Sequence, residues 1–156
     1  MLPKRRTFVH PNVLYHKKMT DVHDIKTRSF NMSRIRGKNS KPEMYVRKFL
    51  FENGLRYRIH YSKLPGKPDV VLVSRRVLID VKGCYWHRHE GCNYAAIPKT
   101  NKKFYQKKFA DTITRDARNR EYWLSDGWKV VEVWECELKN SEEREKRLLK
   151  LLEEIK

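Results

Sequence analysis

The sequence predicts a small α/β domain, with a mixed β-sheet covered by helices on both sides. Segments with helical periodicity alternate with short segments rich in β-branched residues, and no internal repeat divides the 156 residues. This length suits one domain. No segment approaches the ~20 consecutive apolar residues of a membrane span, and the N-terminus lacks the apolar stretch of a signal peptide. We therefore expect a soluble, intracellular protein.

The predicted elements begin after a basic segment at residues 1–20, which shows little periodicity and is expected to be a flexible extension. A single domain is expected at residues 21–156. Its first helix is predicted at 41–53, because Ser40-Lys41-Pro42-Glu43 is a capping-box pattern with proline in the first turn. Asn53-Gly54 is a typical helix stop.

Three short strands and then a helix, a strand and a helix complete the predicted order. The first three strands are predicted at residues 56–61, 70–73 and 77–81, with a turn at 74–76, so that Asp69 and Asp80 flank one hairpin. The next helix is indicated by Tyr105, Phe109, Ile113, Ala117 and Leu124 at helical spacing. A valine-rich strand follows at 128–134, and Ser141 is expected to cap a last helix that buries Leu148, Leu151, Leu152 and Ile155.

The formal charge of +17 is unevenly distributed along the chain. Residues 1–48 hold thirteen lysines and arginines against three acids, and residues 99–120 hold eight against two. Such an excess favours a polyanionic partner, most simply nucleic acid. A solvated surface and ribosome-like RNA binding are the alternatives that charge by itself leaves open.

All three cysteines fit one metal site with a histidine. Cys84, His89 and Cys92 are close in sequence, and Cys136 follows the last predicted strand. Three cysteines and one histidine can close a tetrahedral structural zinc site. An odd number of cysteines cannot all pair in disulfides, and in a reducing compartment cysteines are more typically metal ligands or buried thiols. The alternatives are that His87 replaces His89, or that Cys136 is a core residue and the loop binds no metal.

Asp69, Asp80 and Lys82 form the pattern of a metal-dependent nuclease. Two carboxylates on neighbouring strands can hold Mg²⁺, which stabilises a pentacoordinate phosphate. Residues two apart on a strand face the same way, so Lys82 can orient or activate the attacking water beside Asp80. The alternatives are a turn residue at Asp69 and a surface ion pair.

His87 and Asp116 are a second candidate catalytic pair. A histidine can accept a proton near neutral pH, and a carboxylate on the following helix can fix its tautomer.

Tyr85, Trp86 and Tyr105 are candidates for stacking on or wedging between bases. The alternative is that they belong to the core, as is expected of Trp123, Trp128 and Trp134.

Together these residues resemble the very-short-patch repair (Vsr) endonucleases. The resemblance runs in order from about residue 21 to the end. It is carried by Asp21-Val22-His23-Asp24, Thr27-Arg28-Ser29-x-Asn31-Met32, Lys41-Pro42-Glu43, Leu64-Pro65-Gly66-Lys67-Pro68-Asp69, Gly83-Cys84-Tyr85-Trp86-His87, Arg115-Asp116, Gly127-Trp128 and Val133-Trp134-Glu135-Cys136.

The resemblance implies a restriction-endonuclease-like core, a structural Zn²⁺ and a Mg²⁺-dependent nick 5′ of the thymine in a T:G mismatch, the product of 5-methylcytosine deamination. It also implies that Asp69 is the central metal ligand, that His87 is a catalytic histidine with Asp116 as its partner, and that Glu43 is a further acid near the centre.

The resemblance extends to the metal ligands and the DNA contacts. Cys84, His89, Cys92 and Cys136 match the zinc ligands, although the gap before Cys92 is one residue longer. The positions that match DNA-contacting residues are Tyr85, Trp86 and Tyr105 beside the mismatch, and Met32 and Ile35 from the other groove. The implied partners are double-stranded DNA and mismatch-repair proteins, for a bacterial, cytoplasmic, nucleoid-associated monomer.

One departure from the family is informative. Lys82 stands where the best-known members carry a second histidine, and Asp80 lies two residues earlier. Together with Asp69 these residues restore the Asp…Asp-x-Lys arrangement of restriction enzymes. We therefore expect Asp69 and Asp80 to share the Mg²⁺ and His87 to be auxiliary. Two other functions stay open, namely a restriction-type or homing-associated endonuclease on matched DNA and a zinc-stabilised, non-catalytic DNA-binding protein.

Overall fold

The computed structural model describes residues 24–34 and 37–156. Gly37–Lys156 form one compact unit, and the described residues 24–34 belong to a separate unit. Within that separate unit lies helix α1 (Ile25–Ser33), where the side chain of Asp24 accepts a hydrogen bond from Thr27 N at 2.6 Å. Sequence periodicity did not predict this short helix. The expected extension at residues 1–20 lies outside the described residues.

The larger unit contains three helices and three strands among the described residues, with short 3-10 turns between some of them. In chain order they are α2 (Lys41–Glu52), β1 (Val70–Leu72), β2 (Val77–Lys82), α3 (Lys102–Ser125), β3 (Lys129–Trp134) and α4 (Ser141–Ile155). None of the helices in the described part of the chain combines the length and apolar character needed to span a bilayer.

The helix starts follow side-chain capping. Ser40 caps α2 by accepting a hydrogen bond from Glu43 N, as the capping-box pattern predicts, and Asn53 ends the helix. At α4 the predicted cap, Ser141, is wrong by one residue. Asn140 accepts hydrogen bonds from the first backbone N–H groups of that helix, because its amide oxygen reaches Glu142 N at 2.8 Å.

The strand predicted at residues 56–61 is wrong. Only Arg58 pairs there, through an isolated antiparallel bridge to Val71 with both hydrogen bonds at 2.9 Å. The alternating pattern of this segment imitates a strand, but His60 adopts a positive φ of 51°, which ends the extended conformation. The sheet of the described chain therefore has three strands, where the sequence predicted four.

The sheet is mixed and its order is β1-β2-β3. β1 runs antiparallel to β2, with Val70 opposite Ile79, and β3 runs parallel to β2, with Glu132 opposite Asp80. Asp80 on the central strand therefore lies next to the start of β1, which directly follows Asp69, and opposite Glu132 in the middle of β3. This confirms the predicted mixed α/β architecture.

Helices cover both faces of this sheet. One face packs with α2 and α4, through Val46, Leu50, Val70, Leu72, Val77, Ile79, Val131, Val133, Leu148, Leu151 and Ile155. The other face packs with α3, through Leu64, Val71, Leu78, Trp123 and Trp128. Because side chains alternate along a strand, Asp80 and Lys82 share the α3 face with Leu78. Trp134 is only half-buried, contrary to the expectation that it is a core residue.

The loop before Asp69 is held by close packing against α3. Gly66 has a φ of +74°, and a Cβ there would lie 2.4 Å from Nδ2 of the buried Asn119. Trp123 Nε1 donates a hydrogen bond to Pro65 O at 2.9 Å. Glycine is needed at residue 66 both for its backbone conformation and for this close approach.

Candidate active centre and metal-binding cluster

Asp69 and Asp80 meet at the β1–β2 hairpin. Val81 N donates a hydrogen bond to Asp69 Oδ2 at 2.8 Å, which orients that carboxyl group beside β2. Burial and the negative charges of Asp80 and Glu43 together raise the pKa of Asp69 to about 7, against the opposing effects of the Val81 hydrogen bond and Arg47. Burial likewise raises the pKa of Asp80. Two partly buried carboxyl groups held together in this way form a site that would be stabilised by a cation.

Glu43 is held behind Asp69 by a buried ion pair. Arg47 Nη2 lies 2.9 Å from Glu43 Oε2 and donates a longer hydrogen bond, at 3.3 Å, to Asp69 O. Glu43 also accepts hydrogen bonds from Asn39 N and Ser40 Oγ, each at 2.9 Å. The capping residues of α2 therefore hold Glu43 in place, and Arg47 ties that helix to the backbone that carries Asp69.

Arg47→Met is expected to destabilise the protein by roughly 3 kcal/mol, because removing one partner leaves the buried Glu43 carboxylate without its cation. Urea unfolding would measure the loss. Lys48→Met is the matched control, since Lys48 pairs with Glu52 at 3.7 Å on an exposed surface, and its loss should change stability by less than about 0.5 kcal/mol. Equal stability losses in the two variants would contradict the claim that the buried Arg47–Glu43 pair contributes more to stability than the exposed Lys48–Glu52 pair.

Lys82 lies beside Asp80 on the α3 face of the sheet. Its Nζ atom is 3.6 Å from Asp80 Oδ2 and 2.7 Å from Glu132 Oε1 on β3. Arg120 Nε, on α3, is 3.4 Å from the same Glu132 oxygen. The Lys82 ammonium is thus buried among acids, and its shorter contact is with Glu132.

His87 and Asp116 form a hydrogen-bonded pair. His87 Nδ1 and Asp116 Oδ2 are 2.5 Å apart, and Arg115 Nη2 donates to the other Asp116 oxygen at 3.2 Å. Burial alone would raise the pKa of Asp116, but the hydrogen bonds and charges of His87 and Arg115 outweigh it and lower the pKa. The ionised carboxylate favours the proton on His87 Nδ1, so Nε2 is the nitrogen that can accept a proton. Both residues act electrostatically on Asp80, so the pair lies near the acidic centre.

The cysteines and His89 converge on one point. The ligand atoms of Cys84, His89, Cys92 and Cys136 all lie within 4.8 Å of one another, and this cluster could hold a metal ion. His89 Nδ1 is 3.7 Å from Cys84 Sγ and 3.4 Å from Cys136 Sγ. A tetrahedral Zn²⁺ with Zn–S bonds of about 2.3 Å separates its ligand atoms by about 3.5–3.8 Å, close to these distances.

Two of the three thiols of this cluster, those of Cys84 and Cys136, favour the protonated form when no cation is present. At Cys92 burial would raise the pKa, but hydrogen bonds with the Tyr94 backbone and the neighbouring cysteines outweigh it and lower the pKa. Burial and the neighbouring Cys84 and Cys92 sulfurs raise the pKa of Cys136 to about 12. Burial also raises the pKa of Cys84. Three thiolates packed together repel one another, so a bound divalent cation would displace their protons and compensate their charge. The donor set fits a soft or borderline metal ion.

Trp134 connects this cluster to the acidic centre. The indole ring stacks on His89 with centroids 4.0 Å apart and planes 5° from parallel. Lys82 Nζ lies 5.6 Å from the centroid of the same indole ring. One aromatic side chain therefore contacts both a candidate metal ligand and the lysine of the acidic centre.

The three aromatic residues predicted to contact DNA lie together. Tyr85 contacts Trp86 and Tyr105, with ring centroids 5.0 and 6.2 Å apart, and each of the three rings also contacts the buried Phe109. All three are half-buried, so they form a partly exposed apolar surface that is supported from below. Burial raises the pKa of Tyr85, which keeps its hydroxyl neutral.

Basic residues of α3 and of the preceding loop border this aromatic surface. Lys108 Nζ lies 5.7 Å from the Trp86 ring centroid, and Arg88 stacks over Phe109 at 4.5 Å. The exposed cations of α3 are Lys102, Lys103, Lys107, Lys108, Arg115, Arg118 and Arg120. The basic segment seen in the sequence thus becomes an exposed helical surface next to the aromatic residues.

Sequence reasoning did not identify Arg47 and Glu132, and it identified Phe109 as a helix residue without its contacts to the aromatic surface. Arg47 could have been found as the i+4 partner of Glu43 on a predicted helix. Glu132 is a charged residue in a valine-rich strand, but its contact with Lys82 depends on a strand pairing that the sequence does not show. Of the two predicted groove contacts in the N-terminal arm, Met32 lies in α1 with its side chain outside the described structure, and Ile35 lies outside the described residues.

Comparison with known proteins places the chain among DNA endonucleases. Residues 20–93 match the family described as DNA mismatch endonuclease Vsr. The type II nicking enzyme V.NmeAIP of Neisseria meningitidis is 44% identical over 138 residues, covering 88% of this chain and 98% of that enzyme. The type II nicking enzyme V.XorIIP of Xanthomonas oryzae pv. oryzae is 38% identical, covering 86% and 98%. The DNA mismatch endonuclease Vsr of Escherichia coli is 37% identical, covering 80% and 79%.

Proposed function

The chain belongs to the Vsr family of DNA endonucleases, and on that premise we propose that it is a Mg²⁺-dependent repair enzyme that nicks DNA 5′ of the thymine in a T:G mismatch. The observation that carries the proposal is the convergence of Asp69, Asp80 and Lys82 at the end of the central strand, β2. The name of the relative in Escherichia coli, a mismatch endonuclease, supports the choice of a mismatched substrate.

Asp69 and Asp80 are the proposed Mg²⁺ ligands. Hard divalent cations prefer carboxylate oxygens, and the raised pKa of Asp69, to about 7, indicates a site that lacks sufficient positive charge by itself. When bound, Mg²⁺ would stabilise the charge that develops on the phosphate during cleavage. Glu43 forms an ion pair with Arg47, which also contacts the Asp69 backbone, and Glu43 is proposed to act near the centre without being a primary ligand.

Lys82 and His87 are proposed to handle the nucleophile and the phosphate. The Lys82 ammonium can orient the attacking water beside Asp80 and offset negative charge as the phosphate reacts. His87 Nε2 can accept a proton or donate one to a phosphate oxygen, while Asp116 holds the ring through Nδ1. Because Lys82 already serves the water, His87 is assigned the auxiliary role.

The Cys84, His89, Cys92 and Cys136 cluster is proposed to hold a structural Zn²⁺. Four protein ligands would complete a tetrahedral shell, so that no position is left for a substrate. The short loop that carries Tyr85, Trp86 and His87 lies between two of these ligands. Zinc would therefore fix the loop that presents both the aromatic surface and the histidine.

The aromatic surface of Tyr85, Trp86 and Tyr105 is proposed to enter the DNA beside the mismatch. Unstacking a base step costs a few kcal/mol, and it costs least at a mispaired step. The rings are supported by Phe109 and bordered by lysines that can contact phosphates. We propose that the enzyme acts on double-stranded DNA as a monomer, with mismatch-repair proteins as further partners.

A strand-resolved cleavage assay tests this function. Labelled duplexes that differ only in one T:G or C:G pair are incubated over a range of Mg²⁺ concentrations, with Asp69→Ala as the control. The proposal predicts a Mg²⁺-dependent nick next to the thymine that is absent from the matched duplex and from the variant. Equal cutting of both duplexes would favour the alternative, a restriction-type nuclease, to which the Asp80–Lys82 contact also points. Binding without cutting would indicate a non-catalytic DNA-binding protein.

A further inference from the structure

Glu132 makes the shortest contact of the Lys82 ammonium to a carboxylate. The Nζ atom is 2.7 Å from Glu132 Oε1 and 3.6 Å from Asp80 Oδ2. The parallel pairing of β2 with β3 explains the arrangement, because it places Glu132 directly opposite Asp80 in register. Two acids on adjacent strands therefore face the same lysine, which lies two residues further along β2.

The surroundings of Lys82 leave its ammonium dependent on these acids. Its side chain is only 9% exposed, and the indole of Trp134 covers another side at 5.6 Å. A buried ammonium is costly unless charged or polar partners surround it. If the Glu132 charge were removed, the remaining carboxylate in contact with Nζ would be that of Asp80.

Arg120 completes the charge balance around Glu132. Its Nε atom is 3.4 Å from the same Oε1 atom, and its side chain is about half-exposed, at 48%. Glu132 thus receives one buried cation and one solvated cation. The solvated cation is the weaker interaction, because exposed ion pairs are screened by water. The side chain of Glu132 is consequently committed mainly to Lys82.

We propose that Glu132 is a positioning residue for DNA cleavage, which holds the Lys82 ammonium away from Asp80 and so keeps the Asp80 carboxylate available. The inference rests on the proposed function, in which Lys82 orients the nucleophile and Asp80 is a metal ligand. Glu132 contacts neither the DNA nor the reacting atoms in this scheme, and its proposed role is exerted through its contact with Lys82. It thereby explains why a glutamate interrupts the valines of an otherwise apolar strand.

A double-mutant cycle tests the proposal with Glu132→Gln, Lys82→Met and the double variant. Glutamine preserves the size of the side chain and removes its charge. Single-turnover cleavage at saturating DNA should slow about 10- to 100-fold in Glu132→Gln, and the DNA concentration at half-maximal rate should stay unchanged. In the Lys82→Met background the same substitution should change the rate by less than about threefold, because two residues that act through one contact are not additive.

Two further variants control for a general structural effect. Arg120→Gln removes the solvated cation of Glu132, and at saturating DNA, where any loss of DNA affinity is compensated, it should change the single-turnover rate by less than about threefold. Glu132→Asp keeps the charge on a shorter side chain and should recover part of the rate that Glu132→Gln loses. The proposal is overturned if Glu132→Gln slows cleavage equally in the presence and absence of Lys82.

A measurement without DNA or Mg²⁺ separates this inference from the proposed function. Lysine ammonium signals of the ¹⁵N-labelled protein are recorded by NMR, and the Lys82 signal is assigned by its absence in Lys82→Met. Glu132→Gln should shift or broaden that signal, whereas Arg120→Gln should leave it unchanged. An unchanged signal in Glu132→Gln would overturn the positioning role. If the wild type cuts no duplex, the proposed function fails, while the NMR result still decides whether Glu132 positions Lys82.

Discussion

Asp69→Asn is expected to reduce DNA cleavage by about a thousandfold or more. The substitution removes one of the two carboxylates proposed to hold Mg²⁺, and three orders of magnitude correspond to about 4 kcal/mol of lost transition-state stabilisation. The amide can still accept the 2.8 Å hydrogen bond from Val81 N, so the hairpin geometry should survive. Single-turnover cleavage at several Mg²⁺ concentrations measures the loss.

The same substitution is expected to stabilise the protein when Mg²⁺ is absent. The pKa of Asp69 is raised from 3.8 to about 7, so the folded protein keeps a proton that the unfolded chain releases across this range. Stability contributed by the neutral carboxyl is therefore lost as pH rises from about 4, and the loss is complete above the folded pKa. Asparagine carries no charge, and we expect Asp69→Asn to be roughly 2–4 kcal/mol more stable than the wild type at pH 8.

Urea unfolding of zinc-loaded protein without added Mg²⁺ at pH 6, 7 and 8 tests the stability effect. The advantage of Asp69→Asn should be smaller at pH 6 and grow towards pH 8. A constant difference across this range would contradict the raised pKa.

For the cleavage measurement, His87→Ala is the comparison variant, because the auxiliary role of His87 predicts a smaller loss of cleavage than Asp69→Asn causes. An equal or larger loss at His87 would make the histidine the principal catalytic group.

His89→Ala is expected to abolish zinc binding and to lower the thermal midpoint by roughly 10 °C or more. A structural zinc site contributes directly to folding free energy, and 1 kcal/mol shifts the midpoint of a domain this size by about 2–4 °C. His89 Nδ1 lies 3.4 Å from Cys136 Sγ, whereas His87 is engaged by Asp116 through Nδ1. His87→Ala is therefore the matched control, which should keep its metal.

Metal analysis of the purified proteins, together with thermal unfolding, tests this assignment. The wild type and His87→Ala should each contain about one zinc ion per chain, and His89→Ala should contain almost none. Loss of zinc in His87→Ala with retention in His89→Ala would assign the ligand to His87. A wild type that binds no zinc would mean that the four side chains cluster without a metal.

The sequence predicted an element correctly where its local residue pattern favours the same structure as its packing in the fold. Ser40, Pro42 and Glu43 predicted the start of α2, because capping depends on residues within one turn. The valine-rich segment that became β3 was predicted from its composition. The segment at 56–61 had a similar local pattern but only Arg58 pairs, because a strand also requires a partner along its whole length. Local pattern alone cannot supply that partner.

The candidate site divides in the same way between sequence and tertiary structure. The sequence by itself determined the kinds of chemistry available: the pair of acids at Asp69 and Asp80, the cysteines with their histidine, and the excess of positive charge. The choice of His89 over His87 in the cysteine cluster required the fold, because both histidines have suitable spacing. The contact between Glu132 and Lys82, fifty residues apart, is created by the parallel register of β2 and β3. Side-chain identity is local, whereas the distances between charges depend on how distant strands pair, and only the tertiary structure decides that.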